Sequence, residues 1–360
     1  MRPNPATSGP TGVTESTPGE FDVETVGGIG AVDAAEWDAA VRAMRLPVFY
    51  SHAFLAAYEQ HPLAPIDAFG YLVVRRRGDA AGEPPAAVLP AYLQRRSDPL
   101  GQLAVAYPEA AGEPALLSHS WHCYDSHVGG QDGRADVAAA AITALRGMAR
   151  GLGVRWCGVV NVRRGGATAG ALAGAGLPVR PLTERFGADL TGLADLDEFL
   201  VRGARSRART NLRRYRRRAV EHGVHSAVLP VDEADLAGVV ALCDRVASKY
   251  GTDRFYPAGV FDRFVASLGP AARVLEIRQY GRLIAAGVCL LDPHSFHSWA
   301  GGADYEVDGN FSPYYVMFAE TLELALRLGR PVFEGGRGNP EFKLRHGLLA
   351  RPLDACLVRA

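Results

Sequence analysis

The chain has 360 residues, 48% hydrophobic and 22% charged, which is enough apolar mass for two ordinary domain cores. Lys plus Arg and Asp plus Glu both number 39, so the formal net charge is zero. No global field draws such a protein to nucleic acid or to an anionic membrane; any such attraction has to come from a local patch. No run approaches the ~18 apolar residues of a membrane span.

Residues 1–20 are rich in Pro, Gly, Thr and Ser. They lack the basic start and apolar stretch of a secretory signal, so a disordered tail on a cytoplasmic protein is expected. The cysteines, Cys123, Cys157, Cys243, Cys289 and Cys356, show no C-x-x-C pair and no zinc-type spacing. Reduced, buried thiols and no metal site follow.

In chain order, helices are expected over 34–44 and 52–60, with Ser51 as an N-cap. Strands follow over 69–75 and 86–93, then an Ala-rich helix over 137–152 and a buried strand over 154–162. This alternation predicts an α/β (α+β) layer fold. One domain is expected over 21–190 and a second over 191–360.

The second opens on an Arg-rich linking helix over 200–222. Val201, Ala204, Ala208, Leu212, Tyr215 and Ala219 recur at spacings of 3 and 4, the mark of one inward face. Helices over 233–250 and 258–268 come next, then strands over 273–278, 283–291 and 295–301. Tyr280-Gly281 has the composition of a tight hairpin turn. Ser312-Pro313 suits the cap and first turn of a helix over 314–328. A strand over 331–334, a helical turn over 340–345 and a strand over 353–358 finish the chain. The two halves share a layout, each a mixed, mostly antiparallel sheet flanked by helices.

The order strand, strand, strand, helix, strand resembles the GNAT acyltransferase core. Unpaired N–H groups at a helix N-terminus favour an anion, and Asn310, Ser312, Tyr314 and Tyr315 occupy that place. The closing run from Phe333-Glu334-Gly335-Gly336-Arg337-Gly338 to Glu341-Phe342-Lys343-Leu344-Arg345-His346-Gly347 resembles the end of tandem-domain, Fem-like proteins. Aminoacyl-tRNA-dependent transferases are among these. The resemblance spans roughly residues 196–353. It implies an amide-forming acyltransferase with two tandem GNAT-like domains, no tightly bound cofactor, and an acyl-CoA or aminoacyl-tRNA co-substrate.

The chain departs from that pattern at two points. It has no inserted coiled-coil arm, and no [Arg/Gln]-x-x-Gly-x-[Gly/Ala] loop to cradle the pyrophosphate of coenzyme A. The second absence, with the basic helix, tilts the donor toward aminoacyl-tRNA.

Lys343 and Lys249 are the only lysines among the 39 basic residues. By resemblance Lys343 lies near the donor, where a compact charge offsets a leaving group or forming oxyanion. Gly336 and Gly338 let the backbone approach a ligand beside Arg337, whose fork suits phosphate or carboxylate. Glu334 is a candidate base for the amine, or a partner of Arg337. Tyr314 is a candidate proton donor to the leaving group.

Nine arginines, among them Arg209 and Arg213, lie between Arg202 and Arg218 with no acidic residue between Glu198 and Glu221. Either an anion such as a tRNA backbone sits there, or the helix is a solvated linker. His122, Tyr124 and Asp125 in the first domain, and Lys249, Tyr250 and Trp299 in the second, are candidate contacts for a small amine acceptor. A packed or surface role is the alternative for each. A non-catalytic protein that binds RNA or a nucleotide is the second functional reading, and the oligomeric state stays open.

Overall fold

The computed structural model describes residues 13–15, 20–80, 83–130, 132–249, 251–252 and 255–360. The tail expected over residues 1–20 and the acceptor candidate Tyr250 fall outside them, apart from 13–15 and 20. The chain divides into two compact units. One comprises residues 1–59, 65–182 and 354–360, and the other 60–64 and 183–353. The break therefore falls at 182/183 rather than near 190, and the last residues return to the first unit.

The first unit carries β1 (Val13–Glu15), β2 (Phe21–Val26), α1 (Ala34–Ala43), α2 (His52–Gln60), β3 (Ile66–Arg76), β4 (Ala87–Gln94), α3 (Gln102–Ala106), β5 (Ala115–Ser118), α4 (Ala135–Gly151), β6 (Trp156–Arg163) and α5 (Ala167–Gly174). The strands stand in the order β1-β2-β3-β4-β5-β6. Pairing is antiparallel except between β5 and β6. The apolar stripe of α4, including Val137, Ala141, Ile142 and Leu145, packs into a core with Leu72, Leu89, Val159 and Cys356. The four-residue β5 and the Ala/Gly-rich α5 are too short for periodicity to reveal.

Next come β7 (Val179–Asp189), α6 (Leu196–Gly203), α7 (Ser206–Glu221), β8 (Val224–Leu229), α8 (Leu236–Lys249), α9 (Phe261–Ser267), β9 (Ala272–Gln279), β10 (Arg282–Leu291), β11 (Ser295–Ala303), α10 (Pro313–Arg327), β12 (Val332–Glu334), α11 (Pro340–Arg345) and β13 (Leu349–Arg359). In the second unit the order is β7-β12-β11-β10-β9-β8. Only β11 and β12 run parallel. Each unit thus has antiparallel strands and one parallel pair joined through a long helix, α4 or α10. The expected hairpin is present: Tyr280 and Gly281 have φ of 50° and 83°, as a primed two-residue turn requires.

The single Arg-rich helix expected over 200–222 is two helices. Ala204 is extended between α6 and α7, and the Arg205 N–H donates to the Arg345 carbonyl at 2.9 Å. Gly203 sits so close to Gly347 that an added Cβ would lie 3.1 Å from its Cα. The break wraps the end of α11, a tertiary contact that helical spacing does not encode. As a result Val201, expected inside, is 63% exposed, while Ala208, Leu212 and Ala219 are buried.

Candidate active site

The site is built where β12 ends. β11 and β12 pair only over Ser295–His297 and Val332–Glu334. Beyond that point β11 pairs only with β10, and the chain after Glu334 leaves through Gly335-Gly336. β7 holds this exit: the Gly335 N–H donates to the Phe186 carbonyl at 2.7 Å, and the Phe186 N–H donates to the Gly336 carbonyl at 3.0 Å. Gly336 has φ of 74°, a region that favours glycine. An added Cβ at Gly335 would lie 2.7 Å from the Leu348 side chain. Gly336 is therefore favoured by its backbone conformation and Gly335 by its packing against Leu348, while Gly338 stands in open space.

Glu334 is buried and ion-paired to Arg185 through one carboxylate oxygen and to Arg351 through the other. Arg185 is itself fully buried and Arg351 half-buried. Neither arginine stands in a segment that reads as functional. Their roles arise only when β7 lies beside β12 and β13 beside β7. In the sequence the one trace is that β7 and β13 each carry two arginines, Arg180 and Arg185 in one and Arg351 and Arg359 in the other.

Lys343 is 5% exposed. Loss of hydration lowers its pKa to about 7, and the Glu334 charge opposes that shift. Its Nζ lies 5.7 Å from the centroid of the Phe186 ring, within the range of an attractive cation–π contact. Among the described residues its ammonium has no hydrogen-bond partner. Asn339, left-handed at φ 59°, precedes Pro340 and sets the start of α11, which turns Lys343 inward.

Tyr314 and Tyr315 sit in the first turn of α10, and both meet Phe342 edge-on at 4.8 Å. Tyr315 also contacts Tyr215 and His346, and burial raises its phenol pKa. His346 gives no signal of its own in the sequence. It is buried, stacks on Phe342 at 3.9 Å, and has its Nδ1 2.7 Å from the Phe342 carbonyl. Burial lowers its pKa. A neutral imidazole thus joins α11 to the start of α10.

The loop ahead of α10 is tied back to the fold. Asp308 exchanges two hydrogen bonds with the Gln279 side chain, at 3.0 and 2.6 Å. The exposed Asn310 gives its carbonyl to Arg218 at 2.9 Å. Ser312 makes no side-chain cap bond, and Pro313 removes one helix N–H. This loop offers fewer free donors to a pyrophosphate than a glycine cradle would.

The basic helix is partly neutralised by acids from α6 and α10 and by its own Glu221. Arg213 pairs with Asp197, Arg216 with Glu320 and Glu323, and Arg217 with Glu221. Three of the nine arginines, Arg213, Arg216 and Arg217, thus have carboxylate partners within the protein. Arg205 and Arg207 are exposed, Arg209 is half-buried, and none of these three has a side-chain partner among the described residues.

Of the acceptor candidates, Trp299 is buried between Phe261 and Phe264, and Lys249 is exposed in the last turn of α8. His122 and Tyr124 belong to the buried interior of the first unit, near Tyr58 and Phe49 respectively. Asp125 is half-buried, 3.9 Å from His127.

Residues 206–344 match the family model described as an acetyltransferase (GNAT) domain. The second unit therefore carries a GNAT-type acyltransferase domain, and the class of the protein is that of a transferase. The comparison with curated proteins returned no match.

The whole chain is similar in fold to FemX, with a TM-score of 0.61 at 10% identity over 90% of this chain and 96% of that one. It is also similar to the C-terminal domain of a putative lysylphosphatidylglycerol synthetase from Agrobacterium fabrum (0.55, 14%, 90% and 92%). A third likeness is to a tandem GNAT protein from the clavulanic acid biosynthesis pathway (0.51, 14%, 94% and 98%). At these identities the likeness is one of fold, and that fold is the tandem GNAT, Fem-like one. No helix among the described residues is long and apolar enough to cross a membrane.

Proposed function

We propose that the protein forms an amide by direct transfer of an acyl or aminoacyl group from an activated donor to a small amine. The observation that carries this reading is Lys343: a side chain only 5% exposed, with its Nζ 5.7 Å from the Phe186 ring, within the electrostatic reach of Glu334 and with no hydrogen-bond partner among the described residues. A buried cation with no donor bonds used is available to an oxyanion.

In this reading the amine attacks the acyl carbonyl and Lys343 stabilises the tetrahedral oxyanion. Collapse breaks the bond to the leaving oxygen or sulfur, which takes a proton from Tyr314, and the surplus proton of the attacking nitrogen returns the Tyr314 phenolate to its neutral form. Both carboxylate oxygens of Glu334 face guanidinium groups, so Glu334 acts as the anion that holds Lys343 in place rather than as the base. Proximity and a polarised carbonyl suffice without a covalent enzyme intermediate.

Aminoacyl-tRNA is favoured over acyl-CoA as donor. The tied-back loop at 308–312 supports this, as do Arg205, Arg207 and Arg209, which remain available to an RNA backbone. Of the acceptor contacts, Lys249 stays in this proposal as an exposed residue of the second unit, while His122, Tyr124 and Asp125 lie in the first unit. All five cysteines are buried and outside any disulfide, which accords with a reducing, cytoplasmic setting.

The test is a donor panel: purified full-length protein, labelled acyl-CoAs, charged tRNAs and a mixture of amines. Turnover with a charged tRNA that vanishes in Lys343→Ala is expected. Binding of tRNA with no turnover from any donor would return the non-catalytic reading to first place.

A further inference from the structure

The second unit contains a cavity of about 500 Å³ at the end of β12 away from Glu334, outside the proposed acyl-transfer site. Its apolar wall comes from Val228 on β8, Leu291 at the end of β10, and Leu324 and Leu328 at the end of α10. Arg273 and Arg330 line the same space. Their guanidinium groups touch only backbone carbonyls: Arg273 those of Pro270 and Ala272, and Arg330 that of Pro293. The Nε of Arg330 is buried without a partner.

One acid, Asp292, also lines the cavity, but its carboxylate is committed elsewhere. It accepts from the N–H groups of His294 and Ser295 and lies 3.1 Å from His297 Nε2. The last carbonyls of α10 are likewise used, since Leu328, Gly329 and Arg330 donate to Leu324, Leu326 and Ala325. Two guanidinium groups against one carboxylate leave the lining of the cavity with a net positive charge. Volumes of this order hold small molecules, and such sites pair apolar walls with a few placed polar groups.

We propose that this cavity binds a small amphiphilic carboxylate, with its head between Arg273 and Arg330 and its apolar body against Leu291, Leu324 and Leu328. Guanidinium groups are matched to carboxylate geometry. Two half-buried cations over an apolar wall, against the single carboxylate of Asp292, leave room for one more anion. The proposal stands apart from the acyl-transfer reading, and its test requires no turnover.

Calorimetric titration of the full-length protein with hexanoate, 4-phenylbutyrate, hexanamide and inorganic phosphate reads it directly. Hexanoate and phenylbutyrate should bind at least about tenfold more tightly than hexanamide, the factor expected for charge-assisted hydrogen bonds. Arg273→Gln with Arg330→Gln should abolish that preference. Leu328→Glu, at a position 39% exposed and so tolerant of charge, should exclude the carboxylates while leaving the melting temperature near wild type. Equal binding of hexanamide, equal binding of phosphate, carboxylate binding that survives the double Arg variant, or no binding at millimolar ligand would each overturn the proposal.

Discussion

The ammonium of Lys343 lies 5.7 Å from the ring centroid of Phe186, and the same Phe186 backbone clamps Gly335 and Gly336 from both sides. One residue of β7 thus fixes both the exit of β12, where Glu334 stands, and the floor beneath the lysine. The charge of Lys343 is set by this enclosure more than by the acid nearby, because loss of hydration is the larger influence on its pKa.

The first prediction concerns stability and pH. The folded pKa of Lys343, about 7, lies below the unfolded value of 10.5. Between those values the unfolded chain binds more protons, so stability rises with pH there. The destabilisation from burying the cation is complete below pH 7 and fades as pH climbs toward 10.5. Lys343→Met should therefore raise the melting temperature at pH 6 by several degrees, at about 2–4 °C per kcal/mol. The gain should shrink steadily by pH 10, and calorimetry across pH reads it.

Activity gives a second prediction with a different sign. If the cationic form of Lys343 stabilises the oxyanion, kcat/KM should fall as pH rises through about 7. Lys343→Arg, which stays charged, should retain part of the activity and lose that descending limb. An unchanged limb would assign it to another group.

Glu334 provides a third. Glu334→Gln leaves the buried Arg185 and the nearby Arg351 without their anion. Removing one partner of a buried ion pair typically destabilises by about 3–5 kcal/mol. Adding Arg185→Met should recover part of that loss, since the uncompensated charge is its origin. Urea unfolding of both variants measures the difference.

For the basic helix, the structure separates arginines that sequence treats alike. Arg205→Gln, Arg207→Gln and Arg209→Gln should each weaken tRNA binding, and each should flatten its salt dependence by about one released counterion. Arg216→Gln should do little to the salt slope, because Glu320 and Glu323 already hold that side chain. Filter binding at several salt concentrations distinguishes them.

The close approach of Gly203 and Gly347 yields a fifth. Gly347 has φ of 94°, and a Cβ on either glycine would meet the other's backbone near 3.1 Å. Gly347→Ala should destabilise by roughly 1–3 kcal/mol through strain and forced separation. It should also loosen α11 and therefore Lys343, visible as lowered activity at temperatures where the protein remains folded.

The sequence by itself determined the local elements and the class. Spacing and turn residues placed α2, α4, α10, the Tyr280-Gly281 hairpin and the strands β9 to β12, because those signals are written in neighbouring residues; β7 and β8 were not legible in this way. The run ending Phe342-Lys343-Leu344-Arg345-His346-Gly347 pointed to the GNAT-related class because its glycines and lone lysine are local features. Only the tertiary structure decided which groups meet. Arg185 lies more than a hundred residues from Glu334 in the chain, and Arg351 is on another strand. The break between α6 and α7 exists because Gly203 packs on Gly347, and Asp197, Glu320 and Glu323 reach the arginines of α7 from outside it. Partners brought together by sheet order and helix packing leave no periodic trace in the segments that contribute them, so the electrostatics around Lys343 became visible only in the folded chain.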